Sequence, residues 1–374
     1  MKKSLIALAV LAAFGTAHAQ STATISGKFG VAVGKRLGSD ANVGVSDGNV
    51  TIAAVEDLGG GMKAGASIDM RTRGREQNVA TATGLQVGRD ATVYLSGGFG
   101  TVALGSVELA NGPMILGLGG AMQSIENGFD GSVLSGASNA NILQWTSPSI
   151  NGFSVNVTHA DSIGSVSTTN TTTTSTGAVL LNYDYALAAQ QIGVAYNNGP
   201  ISATADYAVF SNQTSTTSTL TSAADRSRIR ASASYDLGVM KIGIGYEDNK
   251  GTIYTSASSA TAATAASYDG NQMVIGASVP VGPLLLGAGY ARNSESGVVA
   301  GATSNGDEVA KGWLVSANYA FSKRTALLGT YSDIKRSGGA AFVSGYSGAS
   351  TAGTSVSNAT NAGAQYRIRL MHSF

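Results

Sequence analysis

The chain has no cysteine, 5 prolines and 3 histidines in 374 residues. Without cysteine, a chain of this size that leaves the cytoplasm is not a disulfide scaffold and must draw its stability from elsewhere. Past the N-terminus there is no uninterrupted apolar stretch approaching the roughly 20 residues a membrane-spanning helix needs. Residence in a membrane would therefore rest on β-strands, whose backbone polar groups are satisfied only if the sheet closes on itself. An excess of charge is missing too, with 23 basic against 22 acidic residues. That balance argues against a nucleic-acid binder or a protein held to anionic lipid by its net charge. Glycine, by contrast, is abundant at 50 residues.

The N-terminus reads as an export signal. Lys2 and Lys3 form a basic start, Leu5 to Phe14 is a short apolar run, and Ala17-His18-Ala19 has the small-x-small pattern of a cleavage site. Residues 1–19 are thus expected to be removed, leaving a single domain over 20–374.

Beyond it, hydrophobicity alternates with period two. At the C-terminus Tyr366, Ile368, Leu370, His372 and Phe374 share one parity, and Gln365, Arg367 and Arg369 the other. Arg226, Arg228 and Arg230 stand opposite Ile229, Ala231, Ala233 and Tyr235. Met240, Ile242, Ile244 and Tyr246 oppose Lys241 and Glu247, and Trp313, Val315, Ala317, Tyr319 and Phe321 oppose Ser316 and Asn318. A soluble sandwich also alternates, but basic residues in mid-strand and aromatic residues near strand ends point to a transmembrane antiparallel barrel. With about 20 to 25 residues per strand and connector, the mature length gives about 16 strands.

Tight glycine-containing links support the count: Leu58–Gly61, Ser96–Gly100, Ile150–Gly152, Asn198–Pro200, Asp236–Gly238 and Val281–Pro283. They read as periplasmic turns, which puts both termini in the periplasm. Between them lie polar stretches rich in Ser, Thr, Ala and Gly, at Ser165–Gly177, Asn212–Ala224, Ser256–Ser267, Asn293–Asp307 and Gly338–Asn361, expected to be external loops. About 17 strand-like segments can be marked, where an even number is required. The weakest, Ala178 to Tyr185, is assigned to an external loop.

Several motifs, taken in order, resemble the general porins of β-proteobacteria: Glu56-Asp57-Leu58-Gly59-Gly60-Gly61-Met62-Lys63-Ala64, Leu95–Val102, Thr146–Ser149 with Asn151-Gly152-Phe153, Ala233–Gly238, Ser322–Thr325 and Met371-His372-Ser373-Phe374. The resemblance implies a water-filled, 16-stranded homotrimeric channel for ions and small hydrophilic solutes, with loop 3 folded into the lumen. It also implies contact with outer-membrane lipid and lipopolysaccharide, and recognition of the terminal Phe374 by the outer-membrane assembly machinery. Neither a cofactor nor a nucleic-acid partner is implied.

Loop 3 is expected between Val107 and Asn139, where Glu108, Glu126 and Asp130 are the acids. Carboxylates facing basic wall groups across a narrow gap polarise the water there and favour one sign of ion. Arg89 matches the family's basic wall residue after loop 2, and Lys28, Arg71 and Arg73 have parity consistent with the lumen. Arginines common in the family are replaced by Asn49, Ala53 and Ser106, leaving a slight lean toward anions. Each basic group also has a plainer reading, as part of a solvated ladder of alternating charges.

Catalytic groups are scarce. His159 and Asp161 lie two apart on one strand face and are the nearest approach to a hydrolase pair, although a polar place in an interfacial girdle accounts for them far better. No cluster has metal-ligand spacing, and Gly117-Leu118-Gly119-Gly120 lacks the strand-turn-helix context of a nucleotide site. The chain is accordingly expected not to be an enzyme. The long polar loops keep one other reading open, a surface adhesin or structural barrel with a closed lumen.

Overall fold

A computed structural model describes residues 21–35, 37, 40–71, 86–110, 137–174, 177–214, 226–255, 264–297, 306–338 and 362–374. Sixteen strands form one closed antiparallel sheet in which each strand pairs with its neighbours in sequence and the last returns to the first. The first eight are β1 (Thr22–Lys35), β2 (Asn42–Gly59), β3 (Met62–Arg71), β4 (Gln86–Gly97), β5 (Gly100–Ala110), β6 (Ala137–Thr146), β7 (Phe153–Thr174) and β8 (Gly177–Asn198). The remainder are β9 (Ile201–Thr214), β10 (Arg226–Asp236), β11 (Lys241–Thr255), β12 (Thr264–Val281), β13 (Leu284–Gly297), β14 (Gly306–Ala320), β15 (Thr325–Gly338) and β16 (Gly363–Ser373). Closure runs through β1 and β16, where Phe29, Val31 and Val33 stand opposite His372, Leu370 and Ile368.

The two faces have opposite chemistry, and the polarity is the reverse of a water-soluble barrel. Ile25, Leu104, Ile192, Ile229, Val315 and Ile368 point outward and are among the exposed residues. Inward positions of the same sheet hold Asp69, Arg228, Glu247, Asn249, Gln272 and Arg369, all buried. Apolar side chains in water would cost about 25 cal/mol per Å², so an apolar band encircling the barrel is stable only against lipid. Near the ends the band turns aromatic. Trp313 and Tyr331 meet with ring centroids 5.4 Å apart, and Tyr319 and Phe321 with centroids 5.2 Å apart.

All six glycine-containing links are turns between paired strands. Two repeat one device. The Asp57 carboxylate accepts the Gly59 N–H at 2.9 Å, and the Asp236 carboxylate accepts the Gly238 N–H at 2.8 Å. Gly59 and Gly238 have φ of 78° and 82°, a region that costs side chains with a Cβ. The remaining turn, between β14 and β15, has no glycine. There the Ser322 hydroxyl accepts the N–H groups of Arg324 and Thr325, each at 3.1 Å.

Two expectations need correction. Ala178–Tyr185 is neither a loop nor a seventeenth strand, but the first part of β8, continuous with Gln190–Tyr196. Likewise Ser165–Thr174 is not irregular, since it completes β7 and pairs with β8 from Thr174 opposite Gly177 downward. Irregular pairing at Ala160/Ile163 and Ile163/Val166 absorbs extra residues in β7. Above it the ribbon continues after the β6 ladder stops opposite Asp161 and β9 ends opposite Tyr185. The strands likewise run into the edges of the other polar stretches, as β12 does from Thr264.

Candidate functional site: the inner wall of the barrel

Most charged side chains of the inner wall fall into three sectors, with Glu295 of β13 standing between the second and the third and accepting from Asn293 Nδ2 at 2.9 Å. The first spans β2 to β5. Asp69 on β3 accepts from Asn49 Nδ2 at 2.9 Å and from the Thr51 hydroxyl at 3.2 Å, both on β2. Arg71 Nη1 reaches past β4 to Glu108 Oε2 on β5, at 2.9 Å. The Glu108 backbone N–H donates to Asp90 Oδ1 on β4 at 2.7 Å. Acids on three neighbouring strands, Asp69, Asp90 and Glu108, thus share one stretch of wall with Arg71, which is paired with Glu108.

A second sector covers β8 to β12. Asp206 on β9 takes two arginines of β10, with Oδ1 3.3 Å from Arg228 Nη2 and Oδ2 2.8 Å from Arg230 Nε. Arg228 also donates to Gln191 Oε1 at 3.1 Å, and its guanidinium lies 5.4 Å from the centre of the Phe210 ring. On β11 Glu247 accepts from Asn249 Nδ2 at 2.6 Å and from Gln272 Nε2 at 3.2 Å. This sector alternates in sign and largely compensates itself.

The third sector is one-sided. β15, β16 and β1 point Arg336, Arg367, Arg369 and Lys28 inward, and their other inward positions include Ser332, Thr330, Gln365, Met371, Gly30 and Ala32. No acid occupies an inward position between Leu328 and Arg336 on β15, between Gln365 and Met371 on β16, or between Ser26 and Gly34 on β1. A continuous basic arc therefore adjoins the acid-rich β2–β5 sector along the wall.

Of the residues singled out from sequence, Lys28 lies in the basic arc opposite Asn49 and Ser373. Arg71 and Glu108 are joined to each other. Arg89 belongs to β4 at an irregularity in its pairing with β3, since Asp69 faces Asp90 while Arg71 faces Gln86; its side chain lies outside the described residues. Arg73, Glu126, Asp130 and Gly117–Gly120, with most of loop 3, lie outside them as well. Asn49 and Ala53 occupy inward positions, but Ser106 shares the outward parity of Leu104, so an arginine there would not face the lumen. Sequence reasoning missed Asp206 and Arg336 and did not single out Arg228, Arg230, Arg367 or Arg369. The parity of the two β-strand arginine series was the available signal.

His159 and Asp161 do not act as a pair. The His159 ring is hydrogen-bonded to Gln190 on β8, and Asp161 stands opposite Asn141 on β6. His372 hydrogen-bonds to the Thr325 hydroxyl at 2.9 Å. Phe374 closes the seam, exchanging two backbone hydrogen bonds with Gly27 at 3.1 and 3.0 Å.

A single closed sheet with an apolar exterior and a charged interior is a channel architecture, and the comparisons with known proteins agree. The family model for Gram-negative porins matches residues 7–339. The chain belongs to this family. It is similar to outer membrane porin protein 32 of Delftia acidovorans, 34% identical over 263 residues that make up 65% of this chain and 68% of that one. Among solved structures it resembles an anion-selective porin from Comamonas acidovorans, with TM-score 0.60 and 23% identity over 95% of this chain and 100% of the other. It also resembles the trimer form of OmpT from Vibrio cholerae, with TM-score 0.61 and 13% identity over 95% and 99% of the two chains. This porin is integral to the outer membrane and provides a channel for passive diffusion across it.

Proposed function

We propose that the porin passes small hydrophilic solutes and ions with a preference for anions, and that the basic arc of Arg336, Arg367, Arg369 and Lys28 is the source of that preference. The observation that carries the reading is the run of four inward cations on three adjacent strands that hold no inward acid between them, whereas on β2–β5 acids and Arg71 alternate. The structural relative from Comamonas acidovorans is described as anion-selective, which points the same way. Loop 3, with Glu126 and Asp130, is proposed to narrow the lumen against this wall, and Arg73 and Arg89 to add to its basic side.

The mature chain starts at Gln20, assembles as a homotrimer and is recognised by the assembly machinery through Phe374. It works as a channel and not as a catalyst, since its nearest catalytic candidate, His159, is committed to Gln190.

Planar-bilayer recording across a salt gradient tests the selectivity. Wild type is expected to give a reversal potential of anionic sign and conductance in steps of three. Arg367→Gln with Arg369→Gln is expected to move the potential toward cations. An unchanged potential would remove the arc from the selectivity mechanism, and absence of conductance from a folded barrel would favour a closed, adhesive one.

A further inference from the structure

Among the described side chains, Tyr94 of β4 and Phe210 of β9 are the aromatic ones on the inward face, and Phe210 is buried. Tyr94 lies between Val93 and Leu95, which are outward and exposed, and is itself half-buried. Directly opposite it on β3 is Gly65. A Cβ at Gly65 would stand 2.5 Å from Tyr94 Cε1 and from the phenol oxygen, so the ring occupies the space that a side chain at 65 would fill. On its other flank Tyr94 pairs with Ala103 of β5, which is small. The missing side chain at Gly65 therefore lets the ring lie across the wall and not stand out into the lumen. The ring rests on the backbone of β3, as aromatic residues do over a glycine on a neighbouring strand, and its other side is left to the lumen.

The Tyr94 hydroxyl makes no hydrogen bond among the described residues. Next to the ring the inward positions carry mainly hydroxyl groups. The pair above is Ser67 and Thr92, with their oxygens 2.9 Å apart, and the pair below is Lys63 and Ser96, with Thr101 beside Ser96 on β5. An apolar ring with a free hydroxyl at its edge and further hydroxyls around it matches a solute with C–H groups on its face and hydroxyl groups on its rim. A pyranose sugar has that form. Tyr94 stands three residues from the turn glycine Gly97, hence about 10 Å above the turn and in the periplasmic half of the wall. From β1 of the basic arc, β3 and β4 are two and three strands away, about 10 and 14 Å along the wall.

We propose that Tyr94, laid across the wall by Gly65, is a contact site for the ring face of neutral sugars in the periplasmic half of the lumen, apart from the basic arc that acts on anions. Tyr94 makes the contact and Gly65 positions it. The inference rests on the open-channel reading above and adds a second class of solute with its own stretch of wall.

The test is liposome swelling with full-length mature protein, comparing glucose with sorbitol, an open-chain polyol of nearly the same size. The ratio of the glucose rate to the sorbitol rate is expected to be roughly twofold higher in wild type than in Tyr94→Ala. Tyr94→Phe keeps the ring and should keep the ratio. Gly65→Ala should lower it as far as Tyr94→Ala does, because the added methyl displaces the ring, and the double variant should lower it no further. The reversal potential in a salt gradient should be the same in all of them. Equal ratios in wild type and Tyr94→Ala overturn the site. A ratio lost in Tyr94→Phe overturns the part given to the ring face, and a ratio kept in Gly65→Ala overturns the part given to Gly65. Should Gly65→Ala not fold, the two Tyr94 variants carry the test. Folded wild type that passes neither ions nor sugars overturns the channel reading and the site with it, whereas ion conductance with equal ratios throughout overturns the site alone.

Discussion

Arg71 and Glu108 are joined at 2.9 Å across an intervening strand, β3 to β5 over β4. A basic and an acidic residue that sequence reasoning sets against each other, one on the wall and one in loop 3, thus neutralise each other within one stretch of wall. Their summed contribution to the field along the lumen is small. Arg71→Gln frees the Glu108 carboxylate and is expected to shift the reversal potential toward cations, Glu108→Gln to shift it toward anions, and the double variant to return near wild type. Bilayer recording of the three variants in one salt gradient checks this, and additive shifts in the double variant would show that the pair does not act as a unit.

Asp206 holds two arginines at once, and its removal takes a directly bonded counter-charge from both. Its side chain is 10% exposed, against 7% for Arg228 and 18% for Arg230. Breaking such a pair by removing one partner costs about 3 kcal/mol. Asp206→Asn is therefore expected to lower the urea midpoint of the refolded barrel and, in the fraction that folds, to increase anion preference. Arg230→Gln should cost less, because Asp206 keeps Arg228 and Arg228 keeps Gln191. Equal midpoints for Asp206→Asn and wild type would show that water in the lumen already compensates these charges.

The barrel was legible because lipid imposes one rule on every spanning strand. Ile229 must be apolar and Arg228 and Arg230 must face the other way, so the parity survives with no knowledge of which strand lies next door. That rule lapses beyond the membrane. Thr168–Thr174 and Ala178–Tyr185 pair residue by residue through backbone groups, which read no side-chain pattern, and so looked like loop. The partners on the inner wall were illegible for another reason. Arg71 and Glu108 are 37 positions apart and Arg230 and Asp206 are 24 apart, so their meeting depends on the relative register of strands. The register follows from turn lengths and bulges that composition does not reveal.

The twin turns at Asp57-Leu58-Gly59 and Asp236-Leu237-Gly238 offer a comparison inside one molecule. A Cβ on either glycine would meet nothing within 4 Å, so the cost of alanine there is conformational and not steric. Gly59→Ala and Gly238→Ala are each expected to cost about 1 kcal/mol from the positive φ alone, and together about twice that, since the turns share no partner. Urea unfolding of both single variants and the double variant measures it. A much larger loss at one turn would mean that its backbone shape also fixes the register of the strands it joins.

At the seam, Gly27 and Phe374 separate two roles that the terminal residue combines. A Cβ on Gly27 would sit 2.4 Å from the Asn49 carbonyl oxygen and 2.7 Å from the Phe374 ring. The first contact is with backbone of the β1–β2 ladder and cannot be relieved by turning a side chain. Gly27→Ala is therefore expected to reduce the yield of closed barrel during refolding from urea into detergent, scored by the mobility difference between unheated and boiled protein on gels. Phe374→Ala keeps the two backbone hydrogen bonds to Gly27 and loses only the ring. It is expected to refold in detergent nearly as well as wild type while reaching the outer membrane of cells in reduced amount, the pattern of a residue read during delivery. The opposite result, poor refolding in detergent with the same loss in cells, would assign Phe374 to the packing of the seam and leave no separate part for it as an assembly signal.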